Sequence, residues 1–166
     1  EGYISENDLS KGLAMMGDDS KMYSMVDYAD ETYTEGLTDK SLSVLMPYCL
    51  PIEILDENMA KPLLQSSSMA DVVIPSKNDA TELQYEYSNG EPLNAAVIST
   101  KTNDNEESSH VVVWGSYDGL SDRWTYSAYS SNFNNTTYFI NLLNILTDND
   151  AMVIVESVDV GGQSII

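Results

Sequence analysis

Residues 110–114 read His-Val-Val-Val-Trp (HVVVW), and the fold turns on them. Three β-branched valines in a row favour an extended strand over a helix. With no alternation of apolar and polar residues, the run predicts a strand buried on both faces, between two layers. Gly115-Ser116 breaks it, and Asp118-Gly119 marks a turn. Just upstream, residues 101–109 (KTNDNEESS) read as a polar hairpin or loop. The stretch before that, 93–100 (LNAAVIST), has the small and β-branched residues of a central strand.

Downstream lies the one clear helix. Phe139, Leu142, Leu143 and Leu146 fall at i, i+3, i+4 and i+7, a single apolar stripe. Either Asn134 or Asn135 is placed to cap its N-terminus. Burying that stripe stabilises by about 1.5–3 kcal/mol per large side chain before entropy is counted. The valine strand is the platform expected to receive it. Residues 152–155 (MVIV) predict a last strand, and Gly161-Gly162 a turn.

The N-terminal half is less regular. Residues 1–39 are polar and rich in Met and Tyr, with Leu9, Leu13 and Met16 as a weak helical face that Gly12 and Gly17 oppose. Residues 43–48 (SVLMPY) predict a short buried strand that ends, or lies at a sheet edge, at Pro47. Residues 52–55 alternate as a half-buried strand would. Leu63-Leu64 leads into Ser66-Ser67-Ser68, and residues 71–74 (DVVI) precede Pro75. Residues 76–92 read as a polar loop carrying the turn dipeptide Asn89-Gly90.

Charge removes whole classes of function. The 166 residues hold 7 Lys and Arg against 27 Asp and Glu, a formal net charge of -20. Nucleic acid is excluded as a partner, because phosphates would meet repulsion. Anionic lipid headgroups are disfavoured for the same reason. A solvated acidic surface is the expected consequence. The apolar runs are far too short to cross a bilayer. Residues 1–3 (EGY) show neither the basic region nor the apolar stretch of a signal peptide, and the abrupt start suggests a segment of something longer.

Reactive groups are sparse. One Cys and one His cannot assemble the usual zinc site. Cys49, without an activating neighbour, reads as a small buried thiol. Residues 115–119 (GSYDG) follow a strand as a nucleophile elbow would, but Ser116 directly follows Gly115, where the elbow needs an intervening residue. His110 stands at the opposite end of that strand, beyond hydrogen-bond reach of Ser116. The acidic turns at 103–107 and 148–150 match no twelve-residue calcium loop. The clustering of Tyr117, Trp124, Tyr126 and Tyr129 between the valine strand and the helix marks a loop cover or a contact surface. With Ser116 and Asp118 these residues are the candidate ligand or partner surface. No cofactor or metal is expected.

Three stretches carry a family likeness: residues 34–52 (TEGLTDKSLSVLMPYCLPI), residues 63–68 (LLQSSS), and residues 110–122 (HVVVWGSYDGLSD) followed by 134–146 (NNTTYFINLLNIL). In these the chain resembles the gliding-motility-type (GldG-like) auxiliary proteins of bacterial ABC transporters, over the C-terminal part of their extracytoplasmic domain. The resemblance implies an α/β fold, a flavodoxin- or glutamine-amidotransferase-like layered sheet with flanking helices, here incomplete and without catalytic residues. It implies one soluble domain over residues 1–166, on the extracytoplasmic face of a bacterial membrane. Anchoring helices would lie outside this segment, and an ABC permease and ATPase would be the partners. An incomplete sheet would leave an open edge through which copies associate as a homo-oligomer. The function expected is that of a non-catalytic accessory or binding domain. The alternative is a hydrolase or amidotransferase-like enzyme using Ser116, or the pair Asp118 and Asp122.

Overall fold

The computed structural model describes residues 2–11, 21–75, 83–125 and 130–147. The candidates Tyr126 and Tyr129, the predicted strand at 152–155, the acidic turn at 148–150 and the glycine pair at 161–162 lie outside them. So do Leu13 and Met16, while Leu9 is exposed.

Strand-forming sequence builds two sheets. The strands are β1 (Tyr3–Ser5), β2 (Tyr23–Tyr28), β3 (Val44–Pro47), β4 (Lys61–Gln65), β5 (Asp71–Pro75), β6 (Leu83–Tyr87), β7 (Asn94–Thr102) and β8 (Ser108–Trp114). One sheet has the order β1-β5-β6 and the other β3-β2-β4-β7-β8. Two helices follow, α1 (Asp122–Thr125) and α2 (Asn135–Leu146), the first preceded by a 3-10 turn at Asp118–Leu120. The described residues are therefore mixed α/β, dominated by sheet and with few helices. All described pairings are antiparallel. A flavodoxin- or amidotransferase-like layered sheet is thus not confirmed, because such layers need parallel strands joined by crossover helices.

The core lies between the larger sheet and α2. Val26, Val44, Leu63, Leu64, Ala96 and Ile98 pack there with Tyr138 and Leu142 of α2. Each fully buried Leu contributes about 1.5–3 kcal/mol of apolar transfer. Pro62 sits in the interior strand β4, where it cannot donate to the ladder. The register with β7 shifts between Pro62 and Leu64 to accommodate it.

Several expectations are corrected. Residues 52–55 form no strand: Ile52 is held as loop by its N–H to Asn94 O, 2.9 Å, and Leu55 is exposed. Within the stretch expected to be loop, 83–87 is strand β6, paired along its length with β5. The Asn89-Gly90 turn holds, with φ of 58° and 84° in the left-handed region that this dipeptide tolerates. The buried face of α2 is Asn135, Tyr138, Asn141 and Leu142, so it is rotated from the expected stripe, and Leu143 faces outward. Polar side chains that bond backbone carbonyls took the inner positions. Asn141 Nδ2 donates to Tyr33 O at 2.6 Å, and a Cβ on Gly36 would collide with the same amide.

The largest correction concerns the valine strand. β8 ends the five-stranded order, and it is not sandwiched. Its Trp114 face packs on α2, with ring centroids 6.1 Å from Phe139 and 6.4 Å from Tyr138. On the other face Val111 is 62% exposed and Val113 47%. Sequence composition cannot distinguish these cases, since an edge strand and an interior strand can carry the same residues.

Candidate functional site

The proposed nucleophile region sits where β8 ends and the chain passes beneath β3. Gly115 makes the passage possible: its N–H bonds Ala95 O and its carbonyl accepts from Leu50 N–H, both at 2.9 Å. A Cβ there would run into the Leu50 and Ala95 carbonyls and the Cys49 sulfur.

Ser116 follows, fully buried. Its hydroxyl donates to Pro47 O at 2.5 Å and accepts from Gly119 N–H at 3.0 Å. Both roles are structural. The donor is directed at a backbone carbonyl, and no base approaches it among the described hydrogen bonds. His110 is engaged elsewhere, on the exposed hairpin, where its Nδ1 shares a 2.9 Å hydrogen bond with Thr100 Oγ1. These two are cross-strand partners in the β7–β8 register.

Asn134 and Asn135 tie this corner to β3 and the segment before it. Neither side chain caps α2 through the backbone of its first turn, so the expected N-cap role is corrected. Asn135 instead brackets Leu45 of β3. Its Oδ1 accepts from Leu45 N–H at 2.8 Å, while its Nδ2 donates to Leu45 O at 2.7 Å and to Gly119 O at 2.6 Å. Asn134 Nδ2 donates to Tyr28 Oη, Asp39 O and Leu42 O at 2.7, 2.7 and 3.0 Å. Its backbone N–H reaches Ser43 O at 3.0 Å. Together with Ser116 on Pro47 O, these bonds engage Ser43 O, Leu45 N–H, Leu45 O and Pro47 O.

Trp124, expected on the contact surface, is 1% exposed. It packs with Leu45 and Phe133 as a second small core, with Arg123 over its ring at 4.9 Å. Its indole N–H donates to Asp118 Oδ2 at 3.4 Å. Asp118 therefore orients a core tryptophan, and Asp122 opens α1 as an exposed residue. Among the described residues of the predicted surface, Tyr117 alone is fully presented, at 96% exposure.

Sequence reading missed an aromatic cluster assembled from distant residues. Tyr48 contacts Tyr3 and Tyr23 edge-on, with ring centroids at 6.0 and 5.3 Å, and Tyr23 continues to Trp124 at 6.1 Å. The Tyr23 and Tyr48 hydroxyls are 3.4 Å apart. Tyr48 has φ of 49°, a left-handed conformation costly for a bulky residue, and is 42% exposed. Its N–H holds that geometry through Met22 O at 2.8 Å. The abundance of tyrosine was the only signal in the sequence.

Cys49 lies directly behind Tyr48, buried as expected. Desolvation pushes its thiol up to about 12. Among the described residues no three His, Cys, Asp or Glu side chains converge on a metal position. An open groove of about 810 Å³ runs between the 51–57 loop and β4, lined in part by Ile52, Ile54, Lys61, Pro62 and Leu93. None of Ser116, Tyr117, Asp118 or Trp124 lines it. No described helix is long and apolar enough to cross a membrane.

No protein-family model matches the chain, and no curated protein or solved structure matches it significantly.

Proposed function

We propose that this chain is a non-catalytic accessory and binding domain of an ABC-type transport complex. It works on the extracytoplasmic face of a bacterial membrane, anchored by helices outside this segment, beside the permease and the ATPase. The observation that carries the non-catalytic part is the engagement of Ser116, whose hydroxyl is buried between Pro47 O and Gly119 N–H. A nucleophile needs its proton directed at a base and its oxygen open to substrate, and Ser116 has neither.

The resemblance over residues 34–52, 63–68, 110–122 and 134–146 supports the transport-complex part. The antiparallel pairings lend no support to a flavodoxin- or amidotransferase-like layer, and the proposal does not lean on one. Contact with a partner falls to the surface aromatics, Tyr48 with Tyr3 and Tyr23, and the exposed Tyr117. Such rings supply contact area at low entropic cost.

Affinity purification of the tagged full-length parent from detergent-solubilised membranes tests the reading. Co-purification of a permease and an ATPase in stable ratio is the expected result. A parent recovered from the soluble fraction without either contradicts it.

A further inference from the structure

The two edges of the five-stranded sheet are finished differently. On β3, Ser43 O, Leu45 N–H, Leu45 O and Pro47 O are bonded by Asn134, Asn135 and Ser116. β8 is the last strand in that order, and no described strand pairs with its outer side. An edge left in that state is a template for another strand. Its flank is apolar as well, since Val111 and Val113 stand exposed beside Val97 and Ser99 of β7.

Charge selects the occupant. Ser108–Trp114 carries no carboxylate in a chain of net charge -20, and the nearest in sequence are Glu107 and Asp118. A second copy approaching elsewhere would meet like charge at short range. At β8 it meets serine, histidine, valine and tryptophan. Antiparallel pairing of identical strands is self-complementary about a two-fold axis. With that axis at Val111, Val113 lies opposite Ser109 of the second copy, and Glu107 opposite Gly115 of the second copy rather than another acid.

We propose that β8 is a homodimer interface, at which two copies join edge to edge through Ser108–Trp114 into one continuous ten-stranded sheet. The proposal goes beyond the accessory role and stands independently of it.

Sedimentation velocity from about 1 to about 200 µM, at 0.1 M and 1 M NaCl, tests it. The expected result is a reversible monomer–dimer equilibrium that tightens severalfold at high salt. Screening shortens from about 10 Å to about 3 Å over that range and relieves the repulsion between acidic copies. Val111→Glu with Val113→Glu should abolish the dimer. Val111→Thr with Val113→Thr, which keeps strand propensity, should weaken it about tenfold or more. Circular dichroism of each variant distinguishes lost pairing from lost folding. A monomer at every concentration and salt overturns the proposal. This holds whether the β8 amides then exchange freely or are protected by residues 148–166 of the same chain. A dimer indifferent to both double variants overturns it equally.

Discussion

The β3 and β8 edges of one sheet show two ways of ending it. β3 is four residues long, finishes in Pro47, and has its outward backbone groups bonded by side chains from 69 to 90 positions away. β8 is seven residues long, has no described strand paired on its outer side, and exposes two valines. Short length, proline and covering side chains are the usual means of blocking unwanted pairing. The contrast teaches that the most suggestive polar residues of this chain, Ser116 and the Asn134-Asn135 pair, are edge-closing devices. The surface proposed for association is the part that looked most like a core.

Breaking the closed edge should produce the largest effects. Trp124→Ala removes the ring beneath Leu45 and should destabilise by about 3–5 kcal/mol in urea unfolding. Were Trp124 a surface contact residue, stability would hardly change. Asn135→Ala strands Leu45 N–H, Leu45 O and Gly119 O in a buried corner, and a loss of about 3 kcal/mol is expected. Protection of Leu45 and its β3 neighbours from hydrogen exchange should fall most in that variant.

Ser116→Ala should cost about 1–3 kcal/mol, because Pro47 O and Gly119 N–H lose their partner. The same variant addresses catalysis. Parent and variant should be equally inert toward a panel of ester, amide and glycoside substrates. Turnover in the parent that Ser116→Ala or Asp118→Asn removes would restore the enzyme reading.

The smallest effect concerns Cys49, which lies behind both the edge and the tyrosine cluster. Burial raises its thiol to about 12, so the native state keeps a proton that the unfolded chain releases above about pH 9. Its contribution is complete below about pH 9 and is lost as pH rises toward about 12. Stability should therefore decline with pH over that window, by up to about 1.4 kcal/mol per unit from this group. Cys49→Ala should flatten the decline, while the raised hydroxyls of Tyr28 and Tyr138 keep a remainder at the alkaline end. A disulfide-exchange reagent at pH 8 should label the thiol only on unfolding.

Much of the fold was legible where local pattern decides structure. The 43–48 strand, the 93–100 strand, the polar hairpin after it and the start of α2 all emerge from propensity and turn residues. The rest depends on what chain-distant residues do. β6 (LQYEY) is polar, and only its pairing with β5 makes it a strand. The valine run identifies a strand without saying whether it lies at an edge. Asn135 looks like a helix cap because capping is the local use of asparagine, whereas its actual partner, Leu45, is 90 residues away. The candidate site was legible in the same partial way. Ser116 and Asp118 stood out as unusual residues after a buried strand, but their partners Pro47 and Trp124 set their roles. The Tyr3–Tyr23–Tyr48 cluster joins three separate strand ends, and no spacing rule announces it.

Residue-resolved amide hydrogen exchange on the dilute monomer tests the difference between the two edges most directly. Leu45 N–H, bonded to Asn135, should be protected to nearly the level of the interior strands. The alternate amides of Ser108–Trp114 that β7 leaves unpaired should exchange orders of magnitude faster. Equal protection at both edges, or a fast-exchanging Leu45, would contradict the account.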